Sequence, residues 1–96
     1  MSETAEVFQK FDTEIAVGTV YAEIYAMVKR PNGDSTLAEK DEEPDFYDAM
    51  LRPEDWDDSD GTPYLEVEDM TREEAEKLES EWLALAPKLS IEWIGA

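Results

Sequence analysis

Residues 14–30, EIAVGTVYAEIYAMVKR, constrain the fold more than any other stretch of this chain. The run is rich in β-branched and aromatic residues and alternates with a period of two. On a strand, Val20, Ala22, Ile24, Ala26 and Val28 would line one face, and Thr19, Tyr21, Glu23, Tyr25 and Lys29 the other. The second face mixes aromatic and charged groups, which predicts a half-covered surface. Gly18 reads as a bulge or as the strand entry. The run ends in RPNGDST, where Asn32-Gly33 suits a type I′ hairpin, so a return strand is expected over residues 34–40.

The rest of the chain supplies the partners of that strand. In residues 3–12, ETAEVFQKFD, Phe8 and Phe11 continue to Ile15 at helical spacing, and Ser2 or Thr4 can cap the start. Pro44 can open a short helix, PDFYDAML, with Phe46, Met50 and Leu51 at helical spacing and Pro53 as its stop. YLEVEDM alternates Leu65 and Val67 against Glu66 and Glu68, the pattern of a half-buried strand. The clearest helix spans 71–86. Its TREE start is a capping box, and Ala75, Leu78, Trp82, Leu85 and Ala86 form one apolar stripe. Glu73 and Lys77 are spaced for a helical ion pair. LSIEWIG closes the chain as a strand with Leu89, Ile91 and Trp93 on one face. The expected order is α-β-β-α-β-α-β. That is one α+β domain over 1–96, a small antiparallel or mixed sheet of about four strands with helices on one face.

Composition narrows the chemistry. The 96 residues include no cysteine and no histidine, which removes thiolate sites, cysteine nucleophiles and the usual general base. No phosphate loop or nucleophile–base pattern is present, and any pair of carboxylates among 26 acids is expected by chance, so neither an enzyme nor a cofactor is expected. The N-terminal stretch MSETAEVFQK lacks the pattern of a signal peptide, and no apolar run is long enough to span a bilayer. A soluble, cytoplasmic protein is the expectation.

The net charge is −18, and it is unevenly placed. Residues 39–81 hold 19 acids and 4 bases, a net of −15. Phosphate backbones need Lys and Arg, so direct binding to nucleic acid or to an anionic membrane is not expected, and a basic protein is the expected partner. On the scale of duplex DNA, one charge per about 1.7 Å of axis, fifteen charges match about 25 Å of duplex. A domain of this length is roughly 30 Å across, so one face has room for the charge density of DNA. Like charges so crowded also repel, which a basic partner would relieve.

The stretch EDWDDSDGTPYLE, residues 54–66, resembles the start of a calcium loop. Asp55, Asp57, Ser59 and Glu66 fall at the first, third, fifth and twelfth positions. The sixth position, which needs the turn glycine, is Asp60, with Gly61 one residue late. Pro53 precedes the loop, Pro63 interrupts it, and a strand follows. A solvated acidic loop is the expected reading. Phe46 and Trp56 read as local core or, with Tyr47 and Tyr64, as interface anchors.

The candidate contact set is Asp45, Tyr47, Asp48, Glu54, Asp55, Trp56, Asp57, Asp58, Asp60, Glu66 and Glu68, together with the Glu-rich helix. In size, charge and lack of catalytic residues the chain is similar to small acidic inhibitors made by bacteriophages, including anti-CRISPR proteins and other DNA mimics. That likeness is of character, carries no motif and transfers no residue roles. It implies an inhibitor that occupies the nucleic-acid-binding surface of a basic partner, in the host cytoplasm if phage-encoded. Two other readings stand beside it: an acidic structural or accessory domain, and a weak carboxylate-based divalent-metal binder. Whether the chain is a homo-oligomer is left open.

Overall fold

The computed structural model of the chain describes residues 3–57 and 61–95. It is an α+β domain. Helices α1 (Glu3–Lys10) and α2 (Asp12–Val17) lead into β1 (Val20–Lys29). Then come β2 (Ser35–Leu37), β3 (Phe46–Pro53), β4 (Leu65–Met70), helix α3 (Arg72–Leu85) and β5 (Ile91–Ile94).

β1 is the central strand. One edge pairs antiparallel with β3 from Val20↔Pro53 to Met27↔Phe46. The other edge is shared: β5 runs parallel beside Ala22–Tyr25, and β2 runs antiparallel beside Met27–Lys29. β4 pairs antiparallel with β3 and forms an outer edge of the mixed five-stranded sheet.

Alternation sorts the side chains. Val20, Ala22, Ile24 and Ala26 of β1 and Tyr47, Ala49 and Leu51 of β3 are buried under the helices. Phe8 of α1 meets Trp82 of α3 edge-on at 5.5 Å, and Ile15, Met70, Ala75 and Leu89 complete the core. Helix α3 starts as its sequence predicts: Thr71 Oγ1 accepts from Glu74 N, and the Glu74 carboxylate accepts from Thr71 N.

Several expectations are corrected. PDFYDAML is strand β3, not a helix. Tyr47, Ala49 and Leu51 alternate as well as Phe46, Met50 and Leu51 follow a helical stripe, and the long edge of β1 supplies a partner that makes the strand the better solution. The element order is therefore α-α-β-β-β-β-α-β. Residues 14–17 belong to α2 and not to the strand, because Gly18 at φ 87° is its left-handed C-terminal cap, with its N–H donating to the Ile15 carbonyl. The hairpin turn is not type I′, since Asn32 does not have positive φ. Gly33 N donates to Arg30 O and Arg30 N to Asp34 O around a left-handed Gly33, as in a type I turn closed by a bulge glycine. Arg72 pairs with Glu76 at 3.7 Å in place of the expected Glu73–Lys77 pair. Leu85, assigned to the apolar stripe of α3, is 46% exposed.

Candidate functional site

Among the described residues, α2 packs on β1, α3 packs on β3 and β4, and α1 joins them through Phe8 on Trp82, which leaves the other face of the sheet to cover itself. Tyr21, Glu23, Tyr25 and Met27 of β1 alternate onto it, beside Phe46, Asp48, Met50 and Arg52 of β3 and Glu66 and Glu68 of β4. None of these is exposed except the two glutamates.

At one end of this face an ion pair is sealed by aromatic rings. Arg52 Nε donates to Glu23 Oε1 at 2.6 Å, and Tyr25 Oη donates to the same oxygen at 2.6 Å. Glu23 is only 6% exposed although no helix lies over it. The Arg52 guanidinium lies 4.8 Å from the Tyr21 ring centroid and 5.9 Å from that of Trp56. Burial, then the hydrogen bond to Glu23 and its negative charge, push the Tyr25 phenol far up from its ordinary range. Tyr25 therefore stays a neutral donor.

Arg52 also organises the acidic loop. Its Nη1 donates to the Pro53 carbonyl at 3.2 Å and to the Trp56 carbonyl at 3.4 Å. Trp56 Nε1 donates to the Gly61 carbonyl at 3.2 Å, drawing the two ends of the segment together. Trp56 is half-buried and folds back toward the sheet.

Next to this cluster the face opens into a shallow concavity of about 340 Å³. Its apolar lining comes from Met27, Leu37, Met50 and Trp56. Asp48, Glu66 and Glu68 supply its charge, and no Lys or Arg lines it. Burial raises the Asp48 carboxyl above its usual range, partly offset by the Asp69 N–H it accepts at 3.1 Å. Glu68 is also raised, first by a hydrogen bond shared with Glu66 and then by the Glu66 charge. Adjacent carboxylates on one strand face thus share protons more readily than isolated ones.

The expected contact residues fall into distinct groups. Glu54, Asp55 and Asp57 lie exposed on the loop, and Asp48, Trp56, Glu66 and Glu68 border the concavity. Asp58 and Asp60 lie outside the described residues, as does Ser59 of the calcium-like pattern. Asp45 has a structural task, accepting the Lys29 N–H at 2.8 Å. Tyr47 is corrected: it points into the helix-covered core, 5% exposed, against Trp93 at 6.0 Å, and its hydroxyl accepts from Arg72 Nη1. It is not available as a surface anchor. Tyr64, the other anchor candidate, stacks on Phe11 at 4.0 Å. Among the described residues no group of three or more carboxylates converges as a metal site would require.

The acidic segment does not gather on one flat face. Glu66 and Glu68 point to the open side of β4, while α3, with Glu73, Glu74 and Glu76 exposed, lies on the opposite side. The carboxylates of β4 and α3 thus form a band around the β4 edge, while Glu39, Asp41, Glu42, Glu43 and Asp45 lie between β2 and β3. Sequence reasoning missed Glu23, Arg52, Met27 and Met50 as parts of this surface. The alternation around Glu23 was visible, but its partner Arg52 sat in a segment read as ending a helix. Comparison with protein-family models, curated proteins and solved structures returns no match.

Proposed function

We propose that the protein is an acidic binding protein that occupies the nucleic-acid-binding surface of a basic partner, an inhibitor or decoy of the kind that phages direct against defence systems such as CRISPR effectors. The observation that carries this reading is the band of carboxylates from the open face, across the β4 edge, to the outer side of α3. It is supported by the scarcity of internal neutralisation: within 4 Å, Arg30–Glu42, Arg52–Glu23 and Arg72–Glu76 are the ion pairs among the described residues. Carboxylates of the band would stand in for phosphates against Lys and Arg, and long-range attraction would speed encounter.

A second reading has its own observation. β4 is an edge strand, and Glu66 and Glu68 on it would repel a second sheet edge, as charged edges commonly do. On that reading the protein is an acidic accessory domain whose charge keeps it monomeric. Capture of proteins on the immobilised chain at low salt, elution by a salt step, and competition of the captured protein with duplex DNA or RNA separate the two. The inhibitor reading expects mutually exclusive binding. The accessory reading expects no competition.

A further inference from the structure

We propose that the concavity on the open face is a pocket for one arginine side chain of the partner, its stem lying on Met27 and Met50 and its guanidinium placed between Trp56 and the carboxylates of Asp48, Glu66 and Glu68. This deepens the proposed function and rests on it for the basic character of the partner.

The pocket's chemistry selects the occupant. An apolar floor beside a single-signed polar rim fits a side chain with a long hydrocarbon stem and a charged head. About 340 Å³ of shallow space is too small for a helix and ample for one such side chain. Anionic occupants are repelled by three carboxylates. A second copy of this chain, docked by the same face, would set Asp48, Glu66 and Glu68 against their own copies in a molecule of net charge −18. A cation remains. Guanidinium is favoured over ammonium because it is planar and weakly hydrated, stacks on indole and forks onto carboxylate pairs.

The fold already contains one example of this chemistry on the same face. Arg52 donates to a carboxylate, Glu23, while its guanidinium lies over Tyr21 and near Trp56. The strained protonation of the rim points the same way. Asp48 and Glu68 are both held up by burial or by neighbouring negative charge, and a bound cation relieves both.

The test uses the intact protein, labelled with ¹⁵N, and two peptides of equal charge, hexa-arginine and hexa-lysine. The expected result has two parts. Amide shifts concentrate at Met27, Met50, Glu66 and Glu68, and hexa-arginine binds several-fold more tightly than hexa-lysine. Met50→Ser, which leaves the charge unchanged, should weaken hexa-arginine roughly fivefold and erase the preference. Glu73→Gln with Glu81→Gln, which removes exposed charge from α3 outside the concavity, should weaken both peptides about equally and keep the preference. Should Met50→Ser fail to fold, the shift map of the unaltered protein decides. Shifts spread over residues 39–45 and α3, or equal or tighter binding of hexa-lysine, overturn the pocket. These results are independent of competition at a natural target. Competition without peptide binding at the concavity sinks the pocket and keeps the inhibitor, and the converse sinks the inhibitor and keeps the pocket.

Discussion

The two faces of the sheet solve burial in different ways. On the covered face, Ile24 and Leu51 are wholly enclosed, with alanines buried between them and their neighbours at 22, 26 and 49. On the open face no helix or second sheet lies among the described residues, and long side chains lie along the sheet to cover one another. Tyr21, Tyr25, Arg52 and Trp56 shelter Glu23 this way. Burial here does not mark the core alone. A carboxylate is as hidden as many core residues, held in a partly polar surface that also borders the concavity.

The largest effect should come from neighbours in sequence that point to opposite faces. Leu51→Ala opens a cavity in the fully enclosed core and should cost about 2–5 kcal/mol in urea unfolding. Met50→Ala, one residue away on the half-exposed face, should cost well under half as much. Equal losses would mean that the open face packs like a second core.

Glu23→Ala comes next. It leaves Arg52 without its carboxylate on a mostly buried site, and about 3 kcal/mol is expected. The double-mutant cycle with Arg52→Ala should recover part of that loss, since the two side chains act as one unit. Additive losses would show that the pair is held for shape and not for charge.

How much of this was legible in the sequence depends on which signal was local. The face of β1, the strands β4 and β5 and the α3 capping box follow from spacing within a few residues, and all appear as read. Residues 46–51 did not, because Phe46, Met50 and Leu51 satisfy a helical period while Tyr47, Ala49 and Leu51 satisfy a strand period. Only the unfilled edge of β1 decides between them. Ile15 falls on a helix, as its spacing from Phe8 and Phe11 predicts, and Gly18, read as a bulge or as the strand entry, is the cap that separates α2 from β1. The acidic concentration was plain, but its wrapping around β4 required knowing that α3 lies on the face opposite Glu66 and Glu68. The Glu23–Arg52 pair joins residues 29 apart and has no local signature.

Smaller effects test the charged side of the comparison. Asp48 and Glu68 have raised carboxyl pKa values in the fold, so the native state binds more protons than the unfolded chain between the unfolded value, about 4, and the raised one. Stability therefore falls as pH rises through that window. Thermal melting should therefore shift upward as pH is lowered from neutral into that window. In Glu68→Gln that gain should shrink; an unchanged pH profile would place the protonation elsewhere. The smallest effect should be that of salt. Raising ionic strength to about 0.1 M, where the Debye length is about 10 Å, should raise the melting temperature by screening repulsion within residues 39–81. A melting temperature independent of chloride would show that the band is dispersed enough not to strain the fold.

Competition at a captured basic partner shows whether the carboxylates take the place of nucleic acid. The partner, held on a surface with labelled DNA or RNA bound, is titrated with this protein at physiological salt. Full displacement of the nucleic acid is expected. Asp55→Asn, Asp57→Asn, Asp58→Asn and Asp60→Asn combined should slow association, and Trp56→Ala should speed dissociation. Simultaneous binding of nucleic acid and this protein, with neither affinity changed, would contradict it.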